Sequence, residues 1–214
     1  MKLSIRIVLP IFFIITALNC NPESKNQNIT HSIDQNEEFL YMLEPNQKIT
    51  WKARHNEDTT DAYISSVNLK NGIINIKDDK ITSGEIKIDI NTLDNNANLP
   101  KNLIKHLKSP GYFNVLKFPD INYIINSSSN DSLFGDLEII GLKKRINFPC
   151  QIEKSGDLIS ANAEFIIDML DFELPDLVKT HLLPDNEKAH GPSNLVTISS
   201  VSYTHLTLPT KRIV

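Results

Sequence analysis

Several segments of the chain alternate polar and apolar residues with a period of two, and no helix can gather such a pattern on one face. Lys48-Ile49-Thr50-Trp51-Lys52-Ala53-Arg54-His55 places an apolar residue, or at its end His55, at every second position, and Glu85-Ile86-Lys87-Ile88-Asp89-Ile90 alternates without a fault. Residues 145–152 and 160–167 repeat the pattern. Successive side chains of a strand point to opposite faces, so this period describes strands with one wet and one dry face, the habit of antiparallel sheets. Turn signals separate the runs at Lys70-Asn71-Gly72, Asp78-Asp79-Lys80, Ser127-Ser128-Ser129-Asn130-Asp131 and Lys154-Ser155-Gly156-Asp157. Further strands are expected over 62–69, 73–77, 121–126 and 133–140, and another begins at Leu195. Short strands at this spacing predict an all-β sandwich or barrel.

Two stretches break the rhythm. Over residues 101–108, Leu103, Ile104 and Leu107 share one helical face, with Pro100 ahead of it and Pro110-Gly111 behind it. Residues 175–182 predict a second short helix that ends before Pro184.

The first nineteen residues read as a signal: Lys2 and Arg6 precede an apolar run, Ile7 to Ile15, that is too short to span a bilayer. Ala17-Leu18-Asn19-Cys20 resembles the bacterial lipoprotein signal, in which the cysteine is acylated and becomes the first residue of the mature protein. It departs from that pattern at Ala17, where leucine is usual, and at Asn19, where a smaller residue is usual. Residues 20–36, polar and without periodicity, are expected to be a tether behind the lipidated Cys20. The implied address is the bacterial cell envelope, facing the periplasm and held to a membrane by the N-terminal anchor.

At the other end, Val201-Ser202-Tyr203-Thr204-His205-Leu206-Thr207-Leu208-Pro209-Thr210 can be spelled GTC TCT TAT ACA CAT CTG ACG CTG CCG ACG. That string resembles the end of a transposase adapter used in sequencing libraries. Residues 201–214 are therefore set aside as an adapter artefact, and the folded domain is expected over 37–200.

Charge and composition exclude several classes. With 22 Lys+Arg against 26 Asp+Glu the chain carries a net −4, which provides no basic surface for nucleic acid. Only seven glycines are present and no Gly-rich phosphate loop, so nucleotide binding through such a loop is excluded. There is no G-x-S-x-G elbow, no H-x-H or H-E-x-x-H motif, and only two cysteines, so neither a metal site nor a serine nucleophile is expected. His55 continues the dry parity of Trp51 and Ala53, beside Arg54, Glu57 and Asp58. It is placed either to meet a ligand head group or to be satisfied by a neighbouring carbonyl or carboxylate. His106 is expected to pack or cap its helix, and His181 and His190 lie in a long proline-containing connection. Cys150 falls between Phe148 and Ile152 on the dry face, where a thiol is inert.

Four stretches, in order, resemble the YceI-like polyisoprenoid-binding family. The most specific is His106-Leu107-Lys108-Ser109-Pro110-Gly111-Tyr112-Phe113-Asn114-Val115-Leu116-Lys117-Phe118-Pro119. The others are residues 49–55, Gly135-Asp136-Leu137-Glu138-Ile139-Ile140-Gly141-Leu142, and Phe165-Ile166-Ile167-Asp168-Met169-Leu170-Asp171-Phe172. In the last, Met169-Leu170 replaces an arginine-bearing step and Glu173 replaces a glycine.

The resemblance implies an extended, lipocalin-like antiparallel β-barrel of about eight strands with one or two short helices. Its interior would be a lipid-binding cavity lined by Ile49, Trp51, Ala53, His55, Ile86, Ile88, Ile90, Phe148, Ala161, Ala163 and Phe165. Small residues, among them Ala53, Gly84, Ala161 and Ala163, would leave room for a tail. No cofactor is expected beyond a bound isoprenoid or quinone-like ligand, no metal, and no catalysis. Strand parity alone is equally compatible with a solid core. The rival readings are an envelope interaction protein with a solid barrel, and a hydrolase or isomerase using His55 in the cavity.

Overall fold

The two-residue period folds into a closed antiparallel barrel. The computed structural model describes residues 38–54, 62–78, 80–93, 99–156, 158–183 and 193–206. Its strands are β1 (Phe39–Leu43), β2 (Lys48–Arg54), β3 (Ala62–Lys77), β4 (Lys80–Asp89), β5 (Asp120–Ser128), β6 (Ser132–Ile139), β7 (Leu142–Ser155), β8 (Leu158–Asp168) and β9 (Leu195–Leu206). From β3 onward each strand pairs with the next, and β9 returns to pair with β2 and β1, which closes the wall. All these residues belong to one compact unit, 34–214.

β1 and β2 lie end to end against the same two neighbours, so the barrel has eight staves: Tyr41 is opposite Ile74 and Leu206, and Trp51 is opposite Ser65 and Ile198. The break between them is local. Pro45 has no N–H to give the ladder, and Asn46 turns left-handed at φ 64°. The ladder resumes where Asn46 N–H donates to the Leu69 carbonyl and Leu69 N–H to that of Gln47, both at 2.8 Å. β1 was not expected, because its outward Met42 is 52% exposed and supplies no polar beat to the alternation.

Lys70-Asn71-Gly72 is not a turn. β3 runs through it as one strand with a bulge between Leu69 and Asn71. The glycine serves packing: a Cβ on Gly72 would stand 2.9 Å from Leu43 Cδ1. The signals around Asp78, Ser127–Asp131 and Gly156 do mark turns, with Asp78 at φ 51° and Gly156 at φ 61°.

The connections sort the two ends. At one lie the tight turns β3–β4, β5–β6 and β7–β8. At the other, the β4–β5 connection carries helix α1 (Lys101–Lys108) and the β8–β9 connection carries helix α2 (Pro175–His181), both where expected. A buried cluster of Leu93, Leu99, Leu107, Tyr112, Val115, Met169, Phe172 and Leu174 closes this helical end.

The expected domain end at Ser200 does not coincide with the end of the strand. β9 continues through Val201 to Leu206, pairing with β8 and β1, and Thr204 is buried. Its inward face nonetheless changes character there, from Val196 and Ile198 to Ser200, Ser202 and Thr204.

Candidate functional site

The barrel is hollow. Its interior holds a cavity of about 210 Å³ with walls that are apolar almost throughout; besides Ser193, Ser200, Ser202 and Thr204, the lining residues with a polar group are Trp51, Tyr63, Tyr112, Tyr123 and Cys150. The solid-core alternative is therefore not what this sequence adopts. Each stave contributes its dry parity: Ile49, Trp51 and Ala53 from β2, Ile86 and Ile88 from β4, Phe148 from β7, and Ala161, Ala163 and Phe165 from β8. Ile90, in the tight helical turn after β4, lines the cavity as well. His55, like Cys20, lies outside the described residues.

The small residues divide into two kinds. Ala161 and Ala163 face open space and are only half-buried despite their inward parity. Gly84 leaves no volume, contrary to expectation. A Cβ there would stand 2.8 Å from the Ile73 carbonyl oxygen, 3.0 Å from Ile74 Cγ2 and 3.1 Å from Ile125 Cδ1, so its neighbours already fill the space.

Sequence parity missed part of the wall. Tyr123, from β5, is opposite Leu137 on β6, and its ring lies over the diagonal neighbour Gly135, where a Cβ would stand 2.7 Å from Tyr123 Cε2 and Cζ; the absent side chain lets the ring reach the cavity. The helical end also contributes. Leu103 and Leu107 of α1, with Tyr112 and Phe113 after it, line the cavity, although helical periodicity marked the leucines only as a packing face.

Two polar groups in this wall have no hydrogen-bond partner. Trp51 Nε1 and Tyr123 OH are both buried and unpaired among the described residues. Burial pushes the Tyr123 hydroxyl above the usual phenol range, with the nearby Cys150 and Asp136 adding to it. Burial likewise pushes Tyr112 up to about 12 and the Cys150 thiol up to about 11. At neutral pH all three are protonated and uncharged.

His106 and His181 stay outside the cavity. His106 is half-exposed, its ring centroid 5.8 Å from that of Tyr112 and its Nδ1 3.8 Å from Asp176 Oδ2, and His181 is exposed. That contact ties α1 to α2 across Gly111, whose carbonyl accepts from Asp176 N–H at 2.8 Å. Among the described residues no group of three His, Cys, Asp or Glu side chains is placed to hold a metal ion.

The corner after β8, where arginine is replaced, is held by a carboxylate. Asp168 Oδ1 accepts from Leu170 N–H at 3.0 Å and from Asn194 Nδ2 at 2.7 Å, which locks the start of β9 to the end of β8. Glu173 takes the left-handed conformation at φ 52° in place of the glycine.

Comparison with known proteins agrees with this architecture. A family model described as YceI-like domain matches residues 41–198. No curated protein matches the chain in sequence. Among solved structures, a polyisoprenoid binding domain from Saccharophagus degradans, implicated in plant cell wall breakdown, superposes with a TM-score of 0.56 at 11% identity, covering 79% of this chain and 99% of that one. BcnA of Burkholderia cenocepacia superposes with a TM-score of 0.53 at 13% identity, covering 73% and 95%. At these identities the likeness is one of fold.

Proposed function

We propose, on the premise that this chain belongs to the YceI-like domain family, that its barrel binds and carries an isoprenoid-type lipid in the bacterial cell envelope and catalyses no reaction. The observation that carries the reading is the apolar cavity inside a closed wall. A hydrocarbon tail placed there gains about 0.8 kcal/mol for each CH₂ removed from water. The polyisoprenoid binding domain with the same fold supports the choice of an isoprenoid.

Trp51 Nε1 and Tyr123 OH refine the ligand's chemistry. An unpaired buried donor costs about 1–3 kcal/mol, and an oxygen acceptor carried in by an amphiphile, such as an isoprenoid alcohol or a quinone-like head, would relieve that cost. The absence of catalysis is supported by the state of the wall: the Cys150 thiol and the Tyr112 and Tyr123 phenols are held protonated by burial, which leaves them poor nucleophiles and bases at neutral pH. Lipidation at Cys20 would keep such a carrier beside the membrane that supplies its ligand.

Trp51 is the only tryptophan of the chain and lines the cavity, so its emission reports on occupancy. Titration of delipidated protein with a long-chain polyprenol is expected to change that emission saturably at one ligand per barrel. An emission unchanged by polyprenol, in protein shown to be lipid-free, would contradict the reading.

A further inference from the structure

The helical end of the barrel carries a surface that the cavity does not explain. Leu116 is 99% exposed, yet it does not sit on a loose loop. Val115 beneath it is buried, and Val115 N–H donates to the Lys108 carbonyl at 3.2 Å. Asn114, left-handed at φ 46°, accepts on its carbonyl from both Lys117 N–H and Phe118 N–H at 2.9 Å. The turn is thus hydrogen-bonded on both sides of a leucine that it holds out into water. Beside it, the Phe118 ring lies against Gly141, where a Cβ would stand 3.3 Å from Cε1, and this brings the β6–β7 hairpin alongside. The hairpin tip is Ile140-Gly141, both at positive φ. A β-branched residue is strained there and asparagine is the usual choice; Ile140 is half-buried and packs against the core.

The charge around these residues is predominantly positive. Residues 99–119 contain Lys101, Lys105, Lys108 and Lys117 and no Asp or Glu, and the hairpin adds Lys143, Lys144 and Arg145. The neighbouring carboxylates are Asp120 and Asp136, paired with Lys70 and Arg145, Asp176, shared between His106 and Lys179, and Glu138, opposite Lys143 in the hairpin. Among the described residues, Lys101, Lys105, Lys117, Lys143 and Lys144 form no ion pair. In a chain of net charge −4 this is a local concentration of positive charge around an exposed leucine.

We propose that this rim docks the barrel on an anionic lipid surface, with Leu116 set among the acyl chains and the lysines on headgroup phosphates. The chemistry fits a bilayer: an apolar side chain inserts, and a ring of lysines meets negative surface potential, each adding about a fivefold gain in partition. The placement fits as well. The segment that presents Leu116 also supplies Leu103, Leu107, Tyr112 and Phe113 to the cavity wall, so docking puts that end of the cavity against the membrane. The purpose of the docking rests on the carrier reading above; the surface itself does not.

The test uses the full chain with Cys20→Ser and Cys150→Ala, so that no acyl chain attaches and one cysteine at a time can be placed and labelled with an environment-sensitive dye. Leu116→Cys reports on the rim, and Asn130→Cys, in the β5–β6 turn at the opposite end, reports on any membrane contact made elsewhere. With vesicles of phosphatidylcholine containing about a third phosphatidylglycerol, the dye at 116 is expected to shift to the blue and the dye at 130 to stay unchanged. Lys105→Glu with Lys117→Glu, both exposed, is expected to weaken partition at least tenfold, and high salt to abolish it. No shift at 116, equal shifts at both positions, or a shift indifferent to salt and to charge reversal would overturn the proposal. Lipid occupancy measured on the same preparation separates the two ideas: a filled barrel that does not dock removes only the docking, and a docking barrel that never fills removes only the carrier.

Discussion

The rings of Phe148 and Phe165 stack across β7 and β8 with centroids 3.9 Å apart and planes 6° from parallel, and both form part of the cavity wall. Tyr123 extends the array, its ring 5.3 Å from that of Phe148. Such a stack is a rigid apolar surface inside the barrel, and it makes Phe165 a direct probe of what the cavity holds.

Phe165→Arg is expected to give a folded protein of lowered melting temperature that purifies without lipid. In a filled core an unpaired guanidinium would cost several kcal/mol against a total stability of about 5–15 kcal/mol. Here the side chain faces open space, where water can solvate it. Thermal unfolding and lipid extraction check the two halves of the expectation. Outright unfolding would mean that the cavity cannot take up water, and full lipid occupancy would mean that Phe165 does not meet the ligand.

Tyr123→Phe separates the cost of an unpaired hydroxyl from its use. The empty barrel is expected to gain about 1 kcal/mol, since a buried group without a partner is removed. The affinity for an isoprenoid carrying an oxygen acceptor is expected to fall by roughly fivefold, while affinity for the corresponding hydrocarbon stays the same. Denaturant titration and paired ligand titrations measure these effects.

Alternation made the dry faces of β2, β4, β7 and β8 legible because each carries charged or amide residues on its wet side. The same logic failed at β1, whose outward residue is methionine, and at Lys70-Asn71-Gly72, where turn-forming residues serve a bulge. Parity could not distinguish a hollow barrel from a full one, because a side chain points inward in either case. What decides is whether space remains beside the small residues: neighbours fill it at Gly84, while Ala161 and Ala163 line the cavity and stay only half-buried. The contribution of Tyr123 was hidden for a related reason, since it depends on a glycine one strand away at Gly135.

Glu173→Gly is expected to stabilise the protein. At φ 52° a residue with a Cβ pays about 1–2 kcal/mol that glycine does not, and the greater freedom of glycine in the unfolded chain returns part of this. A net gain of a few tenths to 1 kcal/mol, read from denaturant midpoints at unchanged slope, is the expected outcome.

Alkaline pH is expected to weaken the fold through Cys150. Its thiol is raised from 9.0 to about 11, so between those values the folded state holds a proton that the unfolded state has released. Stability is therefore fully present below about pH 9 and falls as pH rises toward 11. Tyr112, raised from 10.0 to about 12, extends the loss upward. Cys150→Val is expected to flatten the lower part of this decline and leave the upper part, as melting temperatures taken from pH 8 to 11 would show.

The central claim is that the cavity belongs to a lipid. Mass spectrometry of the intact protein, purified gently from its native cells and compared with its organic extract, measures this directly. The account predicts one isoprenoid-type molecule per chain, lost from Phe165→Arg. A barrel that leaves its native cells empty, or filled with a polar metabolite, would contradict it.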